Sequence, residues 1–385
     1  MKLYLLAGEP SGDRLGAALM AGLKELHPGI QFRGVSGPLM QAEGLESLFP
    51  MEELSVMGIA EVLPKYPSLR RRLHQAAADC VGFQPDALLT IDSPDFSLRL
   101  AKLVRQKAAT RTIHYVAPSV WAWRPGRAAK MAAHIDHVLA LLPFEPPYME
   151  AAGMTCDFVG HPVVSEPVTS ADEVAAFRAE IGVGEAPLIL ALPGSRRSEV
   201  GRLMPVFGET LTRVILQRPD ARIVLPAADH VAAAVQESVR DWPGQPIVID
   251  PRDDARADAK KRAAFAAADL ALAASGTVSL ELAANATPMV IAYDMSWLSW
   301  QVMSRMAQID TVTLVNLIFE KNIVPEFLGP ACKPPDIAEA VLKLLDDKPA
   351  RLQQLAAMNT TMVKLGKDGE APGLRAARSV LNALA

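Results

Sequence analysis

Short apolar runs of strand length recur along the chain, each followed by a break and then by a longer stretch of helical spacing. The runs are residues 3–7, 32–35, 87–91, 112–116 and 138–142, then 188–192, 222–226, 246–249, 270–274 and 289–292. After the first run come Gly8, Gly12 and Gly16, and then Leu15, Leu19, Leu23 and Leu26 on one helical stripe. Strands alternating with helices predict parallel sheets covered on both faces. The series pauses at 158–162 and resumes after a helix at about 170–181. The expected class is therefore α/β, with two Rossmann-like doubly wound parallel-sheet domains at 1–165 and 166–350. Residues 351–385 are helical by composition. A length of 385 residues suits two domains, each large enough to bury a core.

In open parallel sheets ligands bind beyond the carboxyl ends of the strands, so the loops after the apolar runs carry the candidate chemistry. Pro193 and Gly194 end one run, Ser195 is an acceptable helix N-cap, and Arg196, Arg197 and Glu199 follow. A helix start with an arginine suits a diphosphate; the alternative is an exposed arginine paired with Glu199. Ser275, Gly276 and Thr277 form a second small-residue loop, and Glu281 one turn later suits the hydroxyls of a ribose. Asn316 carries an amide suited to a base or ribose. In the first half, Asp92 and Asp95 follow a buried run; either suits general-base work, and Asp95 equally suits helix capping. Trp121, Trp123 and Arg124 suit a sugar or acyl platform, or plain packing. The Gly8–Gly12 loop lacks G-x-G-x-x-G and any P-loop Lys-Ser/Thr.

Composition narrows the class. Net charge is -4, which gives no footprint for nucleic acid. Three scattered cysteines without C-x-x-C suit a reduced, cytoplasmic protein without structural zinc. No apolar run reaches the roughly 18 residues of a membrane span. One region is unusual: Val56, Met57, Ile59, Val62 and Leu63 lead directly to Arg70, Arg71 and Arg72. That order suits a patch dipping into an anionic lipid surface, or an ordinary core segment beside a solvated face.

Several motifs carry a resemblance. Ala7-Gly-Glu-Pro-Ser-Gly-Asp13, Ile91-Asp-Ser-Pro-Asp-Phe96, Pro118-Ser-Val-Trp-Ala-Trp-Arg124, Leu142-Pro-Phe-Glu145, Leu192-Pro-Gly-Ser-Arg196 with Glu199, and Ala274-Ser-Gly-Thr277 with Glu281 resemble the lipid A disaccharide synthase family. The likeness runs in unchanged order from about residue 3 to 328. It implies a GT-B glycosyltransferase with its domains facing a cleft and its C-terminal helices (351–385) returning to the first domain. The implied reaction transfers 2,3-diacylglucosamine from UDP to 2,3-diacylglucosamine 1-phosphate, forming a β(1→6) linkage and releasing UDP. By resemblance Asp92 is the catalytic carboxylate and Arg196 a donor-phosphate residue. Ser195, Glu199, Ser275, Gly276, Thr277, Glu281 and Asn316 complete the UDP site. Gly8, Ser11, Gly12, Asp95, Ser119, Trp121 and Trp123 are expected on the acceptor side. No metal and no cofactor are expected, since neither D-x-D nor a ligand cluster is present. The family acts at the cytoplasmic face of the Gram-negative inner membrane as a peripheral protein, and a homodimer is left open. Two other readings are kept: another UDP-N-acetylglucosamine enzyme of this fold (a 2-epimerase or the peptidoglycan glucosaminyltransferase), and a non-catalytic lipid or nucleotide carrier.

Overall fold

The computed structural model describes residues 1–54, 59–124 and 126–385, with the backbone alone described for 59–65 and 298. Val56 and Met57 of the expected apolar patch lie outside the described residues, as do the side chains of Ile59, Val62 and Leu63. The chain forms two compact units: Met1–Ser165 with Leu365–Ala385, and Glu166–Lys364.

The first unit holds six parallel strands, β1 (Lys2–Ala7), β2 (Gln31–Val35), β3 (Ala87–Ile91), β4 (Arg111–Tyr115), β5 (His137–Ala140) and β6 (Thr155–Phe158), in the order β2-β1-β3-β4-β5-β6. The second holds β7 (Leu188–Leu192), β8 (Arg222–Pro226), β9 (Ile247–Ile249), β10 (Leu270–Ala273), β11 (Met289–Tyr293) and β12 (Glu326–Leu328), in the order β12-β11-β10-β7-β8-β9. All strand pairs are parallel. Central strands such as β3, β7 and β10 are buried along their whole length, which is why they read as unbroken apolar runs. The edge strands β6 and β12 were not expected. Both are short and half-exposed, so they carry no apolar run to betray them.

Helices α1 (Pro10–Leu26), α2 (Pro38–Ala42), α3 (Ile59–Phe83) and α4 (Pro94–Arg105) belong to the first unit. On one face of its sheet, Leu3, Leu5, Leu89 and Ile113 pack against Leu19 and Leu23 of α1 and Ala377 and Val380 of the last helix. On the other face, Tyr4, Leu6 and Leu88 meet Ala77 and Cys80 of α3 and Leu100 and Val104 of α4. Asp13, almost wholly buried, accepts the amides of Gly37, Leu39 and Met40 and so caps α2 from a distance.

The last helix, Pro372–Leu384, returns to the first unit and lies on α1. The approach is close: a Cβ on Gly373 would sit 2.6 Å from the Ala18 carbonyl oxygen. Arg375 donates to the Phe158 carbonyl at 2.8 Å, and Ser379 donates to Asp157 at 2.6 Å while bonding His137 at 2.8 Å. The preceding helix, Lys348–Lys364, was expected to return as well, but it stays with the second unit. Its buried Gln354 bonds both backbone groups of Met289 at the start of β11, and Lys364 donates to the Ile318 carbonyl. Leaving would strand those polar groups, so the return begins at Leu365.

Candidate active site

Each sheet changes direction at one place. In the first unit the chain leaves β1 toward β2 on one side and β3 on the other; in the second it leaves β7 toward β8 on one side and β10 on the other. Such a switch point opens a crevice at the carboxyl ends of the two strands. Register pairs Ala7 with Ile91 and Leu192 with Ala273. Gly8 and Asp92 therefore leave the first sheet side by side. The loops 193–196 and 274–277 leave the second sheet in the same way.

At the first switch point the backbone is under strain. Asp92 continues the ladder, donating its amide to Tyr115 at 3.0 Å, and then turns: Asp92 and Ser93 stand at φ 52° and 45°. Left-handed conformations cost about 1–3 kcal/mol each outside glycine and persist where neighbours over-determine them. Here Ser97 donates to the Asp92 carbonyl at 2.7 Å, and the Ser93 amide donates to Asp92 Oδ1 at 2.8 Å. Asp92 is thus half-buried, with one carboxylate oxygen held by the Ser93 amide. Gly8 is required beside it, because a Cβ there would come within 2.6 Å of the Ser93 hydroxyl. That hydroxyl is buried without a partner. Val116, a β-branched residue at φ 85°, marks the end of β4 in the same manner.

The other residues expected on the acceptor side divide. Gly12 is buried against the Ile91 carbonyl, while Ser11, Asp95 and Ser119 are exposed. Asp95 lies in the first turn of α4, 3.7 Å from Arg127, and Ser93 takes the cap position. Trp121 is not a platform. It is buried, meets Phe144 edge-on at 5.1 Å and donates its indole N–H to Glu145 at 3.2 Å. Trp123 is half-buried under the Arg124 guanidinium, 3.9 Å from its ring centre. In the sequence Glu145 only ends the Leu142-Pro-Phe-Glu145 motif and has no assigned role, since its residue type alone does not distinguish a buried acid from a surface one. Its burial pushes its pKa up to about 7, against the opposing pull of the Leu142 amide and the Trp121 indole. His114, bonded to Thr90 at 2.8 Å, and His161 are both pushed down to about 4 by burial, so neither is a cation at neutral pH.

At the second switch point the helix Arg197–Gln217 starts one residue later than expected, with Arg196 as its cap. Glu199 folds back to accept the Arg196 amide at 3.3 Å and its guanidinium at 3.1 Å, and the Tyr293 hydroxyl donates to it at 3.5 Å. Glu199 therefore positions Arg196 rather than meeting an anion itself. Gly194, at φ 100°, makes room: a Cβ there would lie 2.7 Å from Glu199 Oε2. The Arg196 side chain is 65% exposed and paired with Glu199, the arrangement of the alternative reading, in which an exposed arginine meets that glutamate. In the neighbouring loop Gly276 and Thr277 are exposed and Ser275 half-buried, ahead of the short helix Val278–Ala284. Glu281 sits 3.6 Å from Lys261.

Asn316 has a different task from the one expected. It is buried, its Nδ2 donates to Thr311 and to the Val324 carbonyl, and its Oδ1 accepts the amides of Ile323 and Val324. Every polar atom of the amide is engaged in holding the turn after the helix Leu314–Phe319, so contact with a base would cost those bonds. Arg72 is likewise withdrawn from the expected basic patch: it forks onto Glu53 at 2.7 and 2.5 Å and stacks over Phe49. Arg70 and Arg71 are exposed.

Comparison with known proteins places this geometry. A family model described as lipid-A-disaccharide synthetase matches residues 3–371. A lipid-A-disaccharide synthase of Ruegeria pomeroyi is 61% identical over 386 residues, covering 100% of this chain and 96% of its own. One from Rhodospirillum centenum is 46% identical, covering 99% and 94%. Among solved structures, a UDP-GlcNAc 2-epimerase from Neisseria meningitidis bound to UDP-GlcNAc superposes with a TM-score of 0.66 at 13% identity, covering 100% and 99%. The Methanocaldococcus jannaschii UDP-GlcNAc 2-epimerase, in complex with UDP-GlcNAc and UDP, gives 0.60 at 14% identity, covering 99% of each. At these identities the structures share the fold.

Burial of Glu145 has a pH consequence. Its folded pKa of about 7 exceeds the ordinary 4.5, so the folded state holds the proton more tightly than the unfolded chain. The stability it contributes is full below pH 4.5 and is lost as pH rises toward 7, on the order of 3 kcal/mol across that window. Thermal melts of wild type and Glu145→Gln between pH 4.5 and 8 should diverge in slope, with the wild type losing Tm as pH rises. Parallel curves would remove Glu145 from the titration.

Proposed function

The chain belongs to the lipid-A-disaccharide synthetase family, and from that premise we propose that it makes the lipid A disaccharide as an inverting, metal-independent glycosyltransferase, with Asp92 as its base and Arg196 on the departing diphosphate. The family's substrates are a nucleotide sugar and a lipid-linked sugar. The full-length identity to synthases outweighs the epimerase alternative, which rests on a fold shared at low identity. A carrier has no use for a carboxylate held at a strained strand end.

The observation that carries the mechanism is the fixing of Asp92 at the β1/β3 switch point. One oxygen is occupied by the Ser93 amide, and the other is left for the acceptor's 6-hydroxyl. The donor sugar is α-linked to UDP and the product is β-linked, so a single in-line displacement suffices. Asp92 takes the hydroxyl proton as the oxygen attacks the anomeric carbon and UDP leaves. Negative charge then grows on the diphosphate. Arg196, turning from Glu199, meets it together with the amides of the 193–196 loop, in place of a metal. Ser275, Gly276 and Thr277 bound the same crevice, and Glu281 offers a carboxylate to the ribose.

Peripheral membrane association is part of the reading, because both substrates carry acyl chains. No helix among the described residues is long and apolar enough to cross a membrane. In its favour, the helix Trp297–Met306 leaves Trp297 74%, Val302 48% and Met306 37% exposed beside Arg305, and holds no acid.

Asp92→Asn should keep UDP affinity and lose about 10²–10⁴ in turnover, since it removes the proton acceptor and keeps the shape. Near-wild-type release of UDP would end the base assignment. Arg196→Ala should weaken UDP binding and slow turnover together, and excess chelator should leave the wild-type rate unchanged; a chelator-sensitive rate restored by a divalent cation would reject the metal-free mechanism. Replacing Trp297 and Val302 by Ser should reduce co-sedimentation with neutral and anionic vesicles alike. Replacing Arg70 and Arg71 by Glu should reduce it with anionic vesicles alone, where each basic residue contributes roughly 1 kcal/mol. Unchanged sedimentation of folded variants would return both surfaces to plain solvent-facing roles.

A further inference from the structure

A groove of about 730 Å³ opens in the first unit between α3 and α4 and begins at the Ser93–Asp95 turn. Its size is that of a ligand site. Its walls divide by chemistry. Leu69 and Leu73 of α3, with Phe96 and Leu103 of α4, make an apolar floor. Arg70, Arg99 and Lys102 stand on its rim, exposed, and form no ion pair among the described residues. Glu9 and Asp95 line only the head, beside the buried, unpartnered Ser93 hydroxyl. From there the groove follows α4, whose 12 residues span about 18 Å, the scale of an extended acyl chain.

An apolar trough with a cationic rim and a polar head suits an anionic amphiphile, and of the family's substrates the lipid-linked sugar that bears a phosphate has that form. The sugar hydroxyls would meet the polar head next to Asp92. A phosphate on the far side of that sugar falls toward the next turns of α4, where Arg99 and Lys102 lie one turn apart on one face. Lys102 gains a little from the C-terminal end of α4, but neither cation has a carboxylate partner among the described residues, and an anionic ligand would supply one. Nothing in the sequence singles out the α4 pair, and only the packing of α3 alongside α4 shows that a trough runs between the helices.

We propose that this groove seats the phosphorylated lipid acceptor, with the apolar floor taking an acyl chain and Arg99 and Lys102 holding the phosphate. It rests on the reading above that Asp92 serves the acceptor. The seat explains how one substrate is told from the other, since the donor carries its charge in a diphosphate bound by the second unit's loops.

The test uses the full chain and two probes below their micelle concentrations, dodecyl phosphate and the uncharged dodecyl maltoside, with affinities read by titration calorimetry. Wild type should prefer dodecyl phosphate, and Arg99→Glu/Lys102→Glu should lose about tenfold or more of that affinity while keeping UDP affinity and its melting temperature. The maltoside should bind wild type and variant alike. In the coupled assay the variant's KM should rise for the phosphorylated acceptor and not for a dephosphorylated one. A variant that binds dodecyl phosphate as wild type does, or that loses both probes equally, overturns the assignment. Binding of the probes needs no turnover, so an Asp92→Asn enzyme that stays active would defeat the mechanism while leaving this result readable by itself.

Discussion

One more hydrogen bond beyond the strand holds each site in place. Asp92 donates to Tyr115 at 3.0 Å after β3 has ended, and Ala274 donates to Leu192 at 2.8 Å after β10 has ended. A buried amide cannot go unpaired without a penalty comparable to the bond itself, so the ladder carries the chain one residue into the crevice before releasing it. In the first unit the release is abrupt, through two left-handed residues. The side chain that follows the last ladder bond is therefore aimed by the sheet, the most rigid part of the unit, rather than by a loop. The strain at Asp92, Ser93 and Val116 is tolerable because buried apolar side chains packed on both faces over-determine the strands that lead to them.

The carboxylates near the two crevices sort by what already engages them. Glu199 holds the cap of its helix and Arg196, and Glu281 faces Lys261. Glu145 is buried against Trp121 and a backbone amide, where the neutral form is favoured. Asp13 is saturated by three amides of α2. Asp92 alone in this set is fixed by a single amide on one oxygen at a strand end. A general base needs that combination of a held orientation and a free lone pair, and the surrounding acids lack one or the other.

The cations follow the same logic in reverse. Arg72, Arg178, Arg218 and Arg252 are all matched by carboxylates or carbonyls of the fold. Arg99 and Lys102 are not. Exposed charge without a partner is common on surfaces, but here it lines the rim of an apolar trough that begins at the Ser93–Asp95 turn. Hydrophobic burial gives such a trough affinity, and the cations give it selectivity for a charged head.

Much of this was legible in the chain. Ten apolar runs, most of them followed within a few residues by a glycine or proline, define ten of the twelve parallel strands, because a strand buried on both faces must be apolar throughout. The loops after those runs carry Asp92, Ser195–Arg196 and Ser275–Thr277, and strand ends are where such sheets hold ligands. The roles of Asn316 and Arg72 were not legible, and Trp121 and Glu199 stood open between a ligand and the packing or pairing they have. An amide, an indole, a carboxylate and a guanidinium suit a ligand as well as they suit the fold, and only the positions of their partners decide which they serve. Edge strands β6 and β12 and the point of return at Leu365 were hidden for a related reason: half-exposed segments and helices that differ only in their neighbours leave no periodic mark. The strand pattern sets which residues reach the crevices, since it depends on burial alone. Which of those residues remain free to do chemistry depends on hydrogen bonds made across tens of residues, and the tertiary structure alone assigns them.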